Sequence, residues 1–205
     1  MTGELPSLLE WFELKDELRT GWVLRGVESP ESVAAHAWGV AALCLLYAEP
    51  AGVDRETAVT MALLHDLGEA RIGDVPMDAP DEESYPSPAE KERTEREAVA
   101  DLTAPFDDHE ELRTRWEEFE AGETPTAAFV GDMDMIDSCL QALAYEREDR
   151  SDPDSNLTEY DDLDEFFATA AAEIRTDVGE ELFGRIEAAY EVEIGREPTG
   201  RYGSS

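Results

Sequence analysis

An all-α fold, built as a compact single-domain helical bundle, is what this sequence predicts, and three observations carry the prediction. Apolar residues recur at spacings of three and four through most of the chain. No stretch alternates apolar and polar residues as a half-buried strand does, and no internal repeat appears. The chain has 205 residues and is 41% hydrophobic, enough to bury one sizeable core. Residues 1–194 are read as that domain, and residues 195–205, GREPTGRYGSS, as a mobile tail.

Leu8, Leu9, Trp11, Phe12, Leu14 and Leu18 make residues 6–18 an amphipathic helix. Residues 20–32, TGWVLRGVESPES, hold two glycines and a proline and read as a connector. Ser29 and Pro30 then look like an N-cap and a first helical position, opening the apolar helix PESVAAHAWGVAALCLLYAE. Asp54 is placed to cap the next helix, RETAVTMALLHDLGEA. There Ala58, Val59, Met61, Ala62, Leu63, Leu64 and Leu67 leave no wide polar face, as in a buried helix. Residues 73–88 carry four prolines without periodicity and read as a loop. Helices resume over residues 89–106 and 108–122, the second ending near Gly122. From Pro125 onward, Phe129, Met133, Ile136, Leu140 and Leu143 form a helical stripe. A solvated loop over residues 147–157 precedes two further helices, near 158–177 and 178–192.

Charge is the unusual bulk property. Fifty-one acids face 16 basic residues, for a net charge of −35, and Lys15 and Lys91 are the only lysines. The acids are spread along the chain. Uniform spread and scarce lysine favour a halophilic, heavily solvated surface over an acidic face for a basic partner. In concentrated salt the Debye length shrinks to about 3 Å or less, which mutes self-repulsion. No basic patch exists, so a nucleic-acid partner is not expected. A small anionic substrate would have to be met by a few arginines or a metal. No run approaches the roughly 18–20 apolar residues of a membrane span. The N-terminal residues lack a basic stretch ahead of an apolar one, so no membrane partner and a cytoplasmic location are expected. Cys44 and Cys139 sit in apolar surroundings and read as buried free thiols.

The chemistry begins at LLHDLGEARIGD, residues 63–74. His65 and Asp66 lie on a helix with no polar face. An ionised carboxylate there costs several kcal/mol unless it is paired or bound to a metal. His36 sits on the other very apolar helix. Two histidines on two apolar helices, with an aspartate beside one, suit a mixed nitrogen and oxygen site for a divalent transition metal. Manganese, cobalt, iron, nickel and zinc all fit such a set. A fourth ligand has three candidates, Asp132, Asp134 and Asp137, among core residues of one helix. His109, in an acidic context, reads as a surface residue.

His36, then His65-Asp66, then Asp134 resembles the H…HD…D signature of the HD-domain metal-dependent phosphohydrolases. GWVLRGVESPESVAAHAW, ALLHDLGEARIGDVP, AEKERTEREA and LQALAYERE extend the likeness to the branch that contains 5′-deoxynucleotidases, across residues 19 to 148. The resemblance implies a helical bundle of the HD-domain type, with one divalent cation on His36, His65, Asp66 and Asp134. It implies Glu69 as the group that orients or deprotonates the attacking water, and Asp74 near the sugar or the scissile ester. Trp22 stands at the family's distance for a substrate-contacting tryptophan, and Arg25 is the candidate phosphate contact. The substrate implied is a small-molecule nucleotide, and relatives of this kind are often homodimers.

Glu69 lies four positions after His65, on the same face if the helix continues, within reach of water on the ion. Each residue also has a plainer reading: Glu69 as a helix-end acid, Trp22 as a core aromatic, Asp74 as a turn residue. Three positions depart from the family pattern. Ala35 stands where an acid often precedes the first histidine. Gly21 stands where a basic residue often precedes the tryptophan, with Arg19 two residues further back. Asp137 replaces a glutamate after Asp134. The activity implied is hydrolysis of deoxyribonucleoside 5′-monophosphates. The rivals are another phosphoester, or a non-catalytic module binding a nucleotide or a protein.

Overall fold

A computed structural model describes residues 3–75, 86–151, 155–156 and 163–198. Among these residues every regular element is a helix. Two isolated bridges, Leu18 with Ser32 and Val27 with Ser151, are the only extended pairings. The helices are α1 (Glu4–Glu13), α2 (Thr20–Leu24), α3 (Val33–Ala51), α4 (Arg55–Leu64), α5 (Glu69–Ile72), α6 (Pro88–Thr103), α7 (His109–Ala121), α8 (Pro125–Arg147), α9 (Asp164–Glu173) and α10 (Asp177–Ile194).

Local chemistry sets most of their ends. Asp54 caps α4 by accepting from the Thr57 N–H at 2.8 Å. Glu90 reaches back to the Ser87 N–H at 3.1 Å and opens α6. Gly52, Gly122 and Gly195 close α3, α7 and α10 in the left-handed conformation that glycine adopts without strain. The expected start of α3 at Ser29-Pro30 is displaced. Ser32 is the cap, and Ser29 lies at φ 50°. The intervening residues are pinned instead to the end of α8. Arg150 donates to the carbonyls of Glu28 and Ser29, and the Glu31 N–H donates to the Tyr145 hydroxyl at 2.8 Å.

The helix expected over residues 55–70 also divides. It ends at Leu64, and residues 65–68 form a turn. There Leu67, Glu69, Ala70 and Arg71 each bond to the carbonyl three residues back. The connector at 20–24 is helical. The loop at 76–85, most of the loop at 152–162 and the tail from 199 lie outside the described residues. Arg196, at the start of that tail, pairs with buried Asp164 at 2.7 Å.

Two apolar clusters form. The larger gathers Val40 and Cys44 of α3, Met61 of α4, Phe129 and Ile136 of α8, Phe167 of α9 and Tyr190 of α10. The smaller joins Leu14, Val33, Leu64, Leu67, Val99, Leu102 and Trp116. Cys44 and Cys139 are buried free thiols. On α8, Phe129, Met133, Ile136 and Leu143 are buried as the stripe predicts, but Leu140 is 38% exposed. Cys139, Ala142 and Tyr145 take the inward positions there, so the C-terminal half of α8 presents a different face to the core. Expecting no apolar run of membrane length is too strong for α3. It is long and apolar enough to span a bilayer, with 39% of that window buried. In this fold α3 packs between α4 and α8 and carries buried His36.

Asp132, one of the three aspartates open as a ligand, has a structural task. Its carboxylate accepts from the backbone N–H groups of Arg175 at 3.0 Å and Thr176 at 2.8 Å, tying α8 to the start of α10. A Cβ on Gly179 would fall 2.3 Å from its Oδ2, so glycine admits the carboxylate. Asp132→Ala leaves those donors unpaired. It is expected to lower unfolding stability in urea by about 3 kcal/mol while leaving metal content unchanged.

Candidate metal centre and active site

His36 comes from the first turn of α3, His65 from the residue that ends α4, Asp66 from the turn after it, and Asp134 from α8. Ligand atoms of His36, His65 and Asp66 all lie within 4.8 Å of one another. The two Nε2 atoms face each other at 3.3 Å. Asp66 Oδ2 is 3.0 Å from His65 Nε2 and 3.7 Å from His36 Nε2. Asp134 Oδ1 is 3.0 Å from His36 Nε2. The structure brings all four expected ligand residues to one point.

The outer ring nitrogens determine what those inner atoms offer. His65 Nδ1 is 2.8 Å from the Ala62 carbonyl, an acceptor, so Nδ1 donates. His36 Nδ1 is 2.7 Å from Asp137 Oδ2, also an acceptor. With both Nδ1 atoms donating, neutral rings turn two lone pairs toward each other and toward two carboxylates. Four acceptors converge with no donor among themselves, and Arg19 reaches only Asp66, at 3.5 Å, so the cluster requires further positive charge. A divalent cation fits that donor set, with each ring held by an outer hydrogen bond in the usual manner of metal histidines.

Protons meet the same demand. Burial, the largest influence, and Arg19 both disfavour charged His36, yet hydrogen bonds to Asp134 and Asp137 push its pKa up to about 10. Burial would raise the Asp66 carboxyl, but His65, Arg19 and His36 together hold it below the usual range.

Asp137, in the sequence a candidate fourth ligand and a departure from the family pattern, stands instead behind His36, and its place there depends on Gly39. A Cβ on Gly39 would sit 1.9 Å from Asp137 Oδ1. The turn itself is tied down from α7, where the Trp116 indole donates to the His65 carbonyl at 3.1 Å. Gly68 lets α6 close on the turn, since a Cβ there would be 3.0 Å from Glu95 Cβ.

Glu69 opens α5 and is 3% exposed, and its Oε2 has no hydrogen-bond partner among the described residues. Burial, then the charges of Asp66 and Asp74, raise its pKa well above the ordinary carboxylate range. Asp74 is 8% exposed, and its oxygens are already engaged. They accept from the Thr20 N–H at 2.5 Å and from Arg19 at 3.3 Å. Arg19 also reaches Asp66 at 3.5 Å, so this guanidinium is the cation beside the carboxylates.

Arg25, the residue expected at phosphate, instead pairs with Glu165 and donates to the Gly21 carbonyl at 2.7 Å. Trp22 is 1% exposed, stacked on Phe166 at 3.8 Å between ring centroids. Its indole donates to Glu31 at 3.0 Å. His65, Asp66, Glu69, Asp74, Asp134, Arg19, Trp22 and Arg25 line one cavity of about 410 Å³. His109, expected at the surface, is 43% exposed in its side chain and lies outside that lining.

Comparison with known proteins places this arrangement. A family model described as HD domain matches residues 12–175. The 5′-deoxynucleotidase HDDC2 of Danio rerio is 34% identical over 148 residues, 69% of this chain and 71% of that protein. The 5′-deoxynucleotidase HDDC2 of Homo sapiens is 36% identical over 147 residues, 68% of this chain and 69% of that protein. A conserved hypothetical protein from Pyrococcus furiosus superposes with a TM-score of 0.70 at 31% identity. That superposition covers 90% of this chain and 98% of that one.

Gly39→Ala drives Asp137 off His36. It is expected to weaken metal binding about 10- to 100-fold, read by competition against a chelator of known affinity. Glu69 supplies a second expectation. In metal-free protein its proton is held more tightly folded than unfolded. Its ionisation therefore costs stability as pH rises from the ordinary glutamate range through the elevated folded value. Glu69→Gln should melt higher than the unsubstituted metal-free chain at pH about 8, with the difference closing near pH about 4.

Proposed function

This chain belongs to the HD-domain family of metal-dependent phosphohydrolases, and on that premise we propose that it is a 5′-deoxynucleotidase. The reaction is hydrolysis of deoxyribonucleoside 5′-monophosphates to deoxynucleosides and phosphate. One observation carries the reading. A buried carboxylate, Glu69, whose Oε2 has no hydrogen-bond partner among the described residues, lines the same cavity as the His65, Asp66 and Asp134 acceptors, with His36 directly behind them. The names of the relatives supply the substrate class.

A divalent cation, when bound by those four residues, supplies Lewis acidity toward water and toward a phosphate oxygen. The chain's own groups do the rest. Glu69 has a free oxygen and a raised affinity for protons, so it is suited to take the proton of the attacking water. Arg19 offers positive charge to the phosphoryl group. Asp74 acts through Arg19 and the start of α2, holding the guanidinium over the cavity. Arg19, not Arg25, is therefore the phosphate contact in this reading, because the Arg25 charge is already matched by Glu165.

The test is phosphate release by the purified, metal-loaded full chain on deoxyribo- and ribonucleoside monophosphates. Release from the deoxyribonucleotides with slower ribonucleotide turnover is expected. Equal rates on the two series sink the deoxy preference, and no release from any nucleotide sinks the hydrolase reading. Glu69→Ala should keep its metal and lose about 10²- to 10⁴-fold in kcat. Loss of metal instead would place Glu69 among the ligands.

A further inference from the structure

Among the described residues, the lysine and arginine side chains that line the cavity are Arg19, Arg25 and Lys91. Two of them are heavily committed. Arg25 pairs with buried Glu165, and Arg19 is shared between Asp66 and Asp74. Lys91 has one acid within ion-pair distance, Glu95 at 3.4 Å. An ammonium carries three N–H donors, so a single acceptor leaves it donors to offer a ligand.

The setting of Lys91 on α6 differs from that of its neighbours. The helix carries three ion pairs spaced four residues apart. In Arg93–Glu97 and Arg96–Glu92 the basic side chains are 62% and 43% exposed. The Lys91–Glu95 pair turns inward, at 30% and 11%. Its cation precedes its acid, the order that supports a helix less, so helix stability is a weak account of it. Glu95 in turn is packed against the turn of the metal centre, where a Cβ on Gly68 would be 3.0 Å from Glu95 Cβ.

This placement brings the ammonium to the reactive edge of the cavity. Burial, the largest influence, disfavours its charge, yet Glu95, then Glu69 and Asp66, hold its pKa above the usual lysine value. Arg19 feels Asp66 and Glu69 as well, so both cations border the same two acids from different elements. Glu92, Glu95 and Glu120 share the α6 and α7 wall with Lys91. Without Lys91 that wall would present charge of one sign, opposed to any phosphoryl group. Lysine itself is scarce here, with two in the chain, and the other, Lys15, lies over the Phe12 ring at 4.0 Å. A compact ammonium on a flexible stem meets a phosphoryl oxygen as a point charge, where a guanidinium needs a planar fork.

We infer that Lys91 is a second phosphate contact, its ammonium meeting a phosphoryl oxygen from α6 while Arg19 meets the same group from the start of α2. The inference rests on the phosphomonoester reading above and deepens it. Lys91 is then also what allows an acidic wall to border an anion site.

The experiment measures binding of inorganic phosphate to the metal-loaded full chain by calorimetry, so that it does not depend on turnover. Lys91→Gln should weaken binding about 10- to 100-fold, with metal content unchanged, and Lys91→Arg should recover part of the loss. Arg93→Gln removes the same charge from the outer side of α6 and should change binding less than about twofold. An equal loss in Arg93→Gln would mean that overall charge alone is at work, and would overturn the contact. In a Glu95→Gln background, Lys91→Gln should cost as much as before. No cost there would show that Lys91 acts only by neutralising Glu95, and would also overturn it. Loss of metal from Lys91→Gln overturns it too, since the ammonium would then be supporting the ligands. If the unsubstituted chain hydrolyses no nucleotide yet binds phosphate in a Lys91-dependent way, the contact stands and the hydrolase reading falls. Phosphate binding that is the same with and without Lys91 overturns the contact whatever the turnover.

Discussion

Four acceptors aimed at one point set the terms for the rest of this molecule. Two imidazole lone pairs and two carboxylates lie within hydrogen-bonding distance of each other with no donor among them. Left alone they repel, and burial removes the water that would soften the repulsion. Only positive charge makes the cluster tolerable, and Arg19 at the Asp66 edge leaves the rest to a cation or to protons on the histidines. The packing around the cluster is rigid enough to keep the four groups together. Helices α3, α4 and α8 pack around it, Trp116 holds the His65 carbonyl, and Gly39 admits Asp137 against His36.

This arrangement divides labour among groups of the same chemical type. Asp66 and Asp134 face the cation position, Asp137 fixes a tautomer, Asp132 ties α8 to the backbone ahead of α10, and Asp74 holds Arg19. Glu69, unlike Asp66, Asp74, Asp134 and Asp137, has an oxygen with no hydrogen-bond partner among the described residues. Environment, not residue type, separates the candidate base from its neighbours.

The helical architecture was legible because periodicity and caps agree: Asp54 and Gly122 end helices where their chemistry says they should. His36, His65 and Asp66 were legible as candidate ligands because imidazoles and a carboxylate on apolar helices are conspicuous, whereas only the family resemblance singled out Asp134 from Asp132 and Asp137. What escaped was tertiary. Ser29-Pro30 has a good local start signal, but Arg150, more than 100 residues away, holds that segment in another conformation. The break after Leu64 is set by the turn that Trp116 and α6 close upon, and no window around residue 65 contains either partner. Asp137 stood among the candidate ligands, but its contact with the outer nitrogen of His36 could have been suspected only from the small Gly39 one turn after His36. Arg19 was visible as a displaced basic residue, in a chain with only 16 of them. Phe166 carried no signal, since it reaches the cavity only through the packing of α9 on α2.

The net charge of −35 has a kinetic consequence for any anionic substrate. In most enzymes of charged metabolites the surface field draws the ligand in, and salt slows the encounter. On the proposed reading a phosphomonoester would approach against the field and meet attraction at short range, from Arg19 and the cation that the site would hold. Added salt shortens the reach of the repulsion far more than it weakens contacts inside the cavity. The association rate therefore climbs with ionic strength, and the acidic coat acts as a filter that concentrated electrolyte opens.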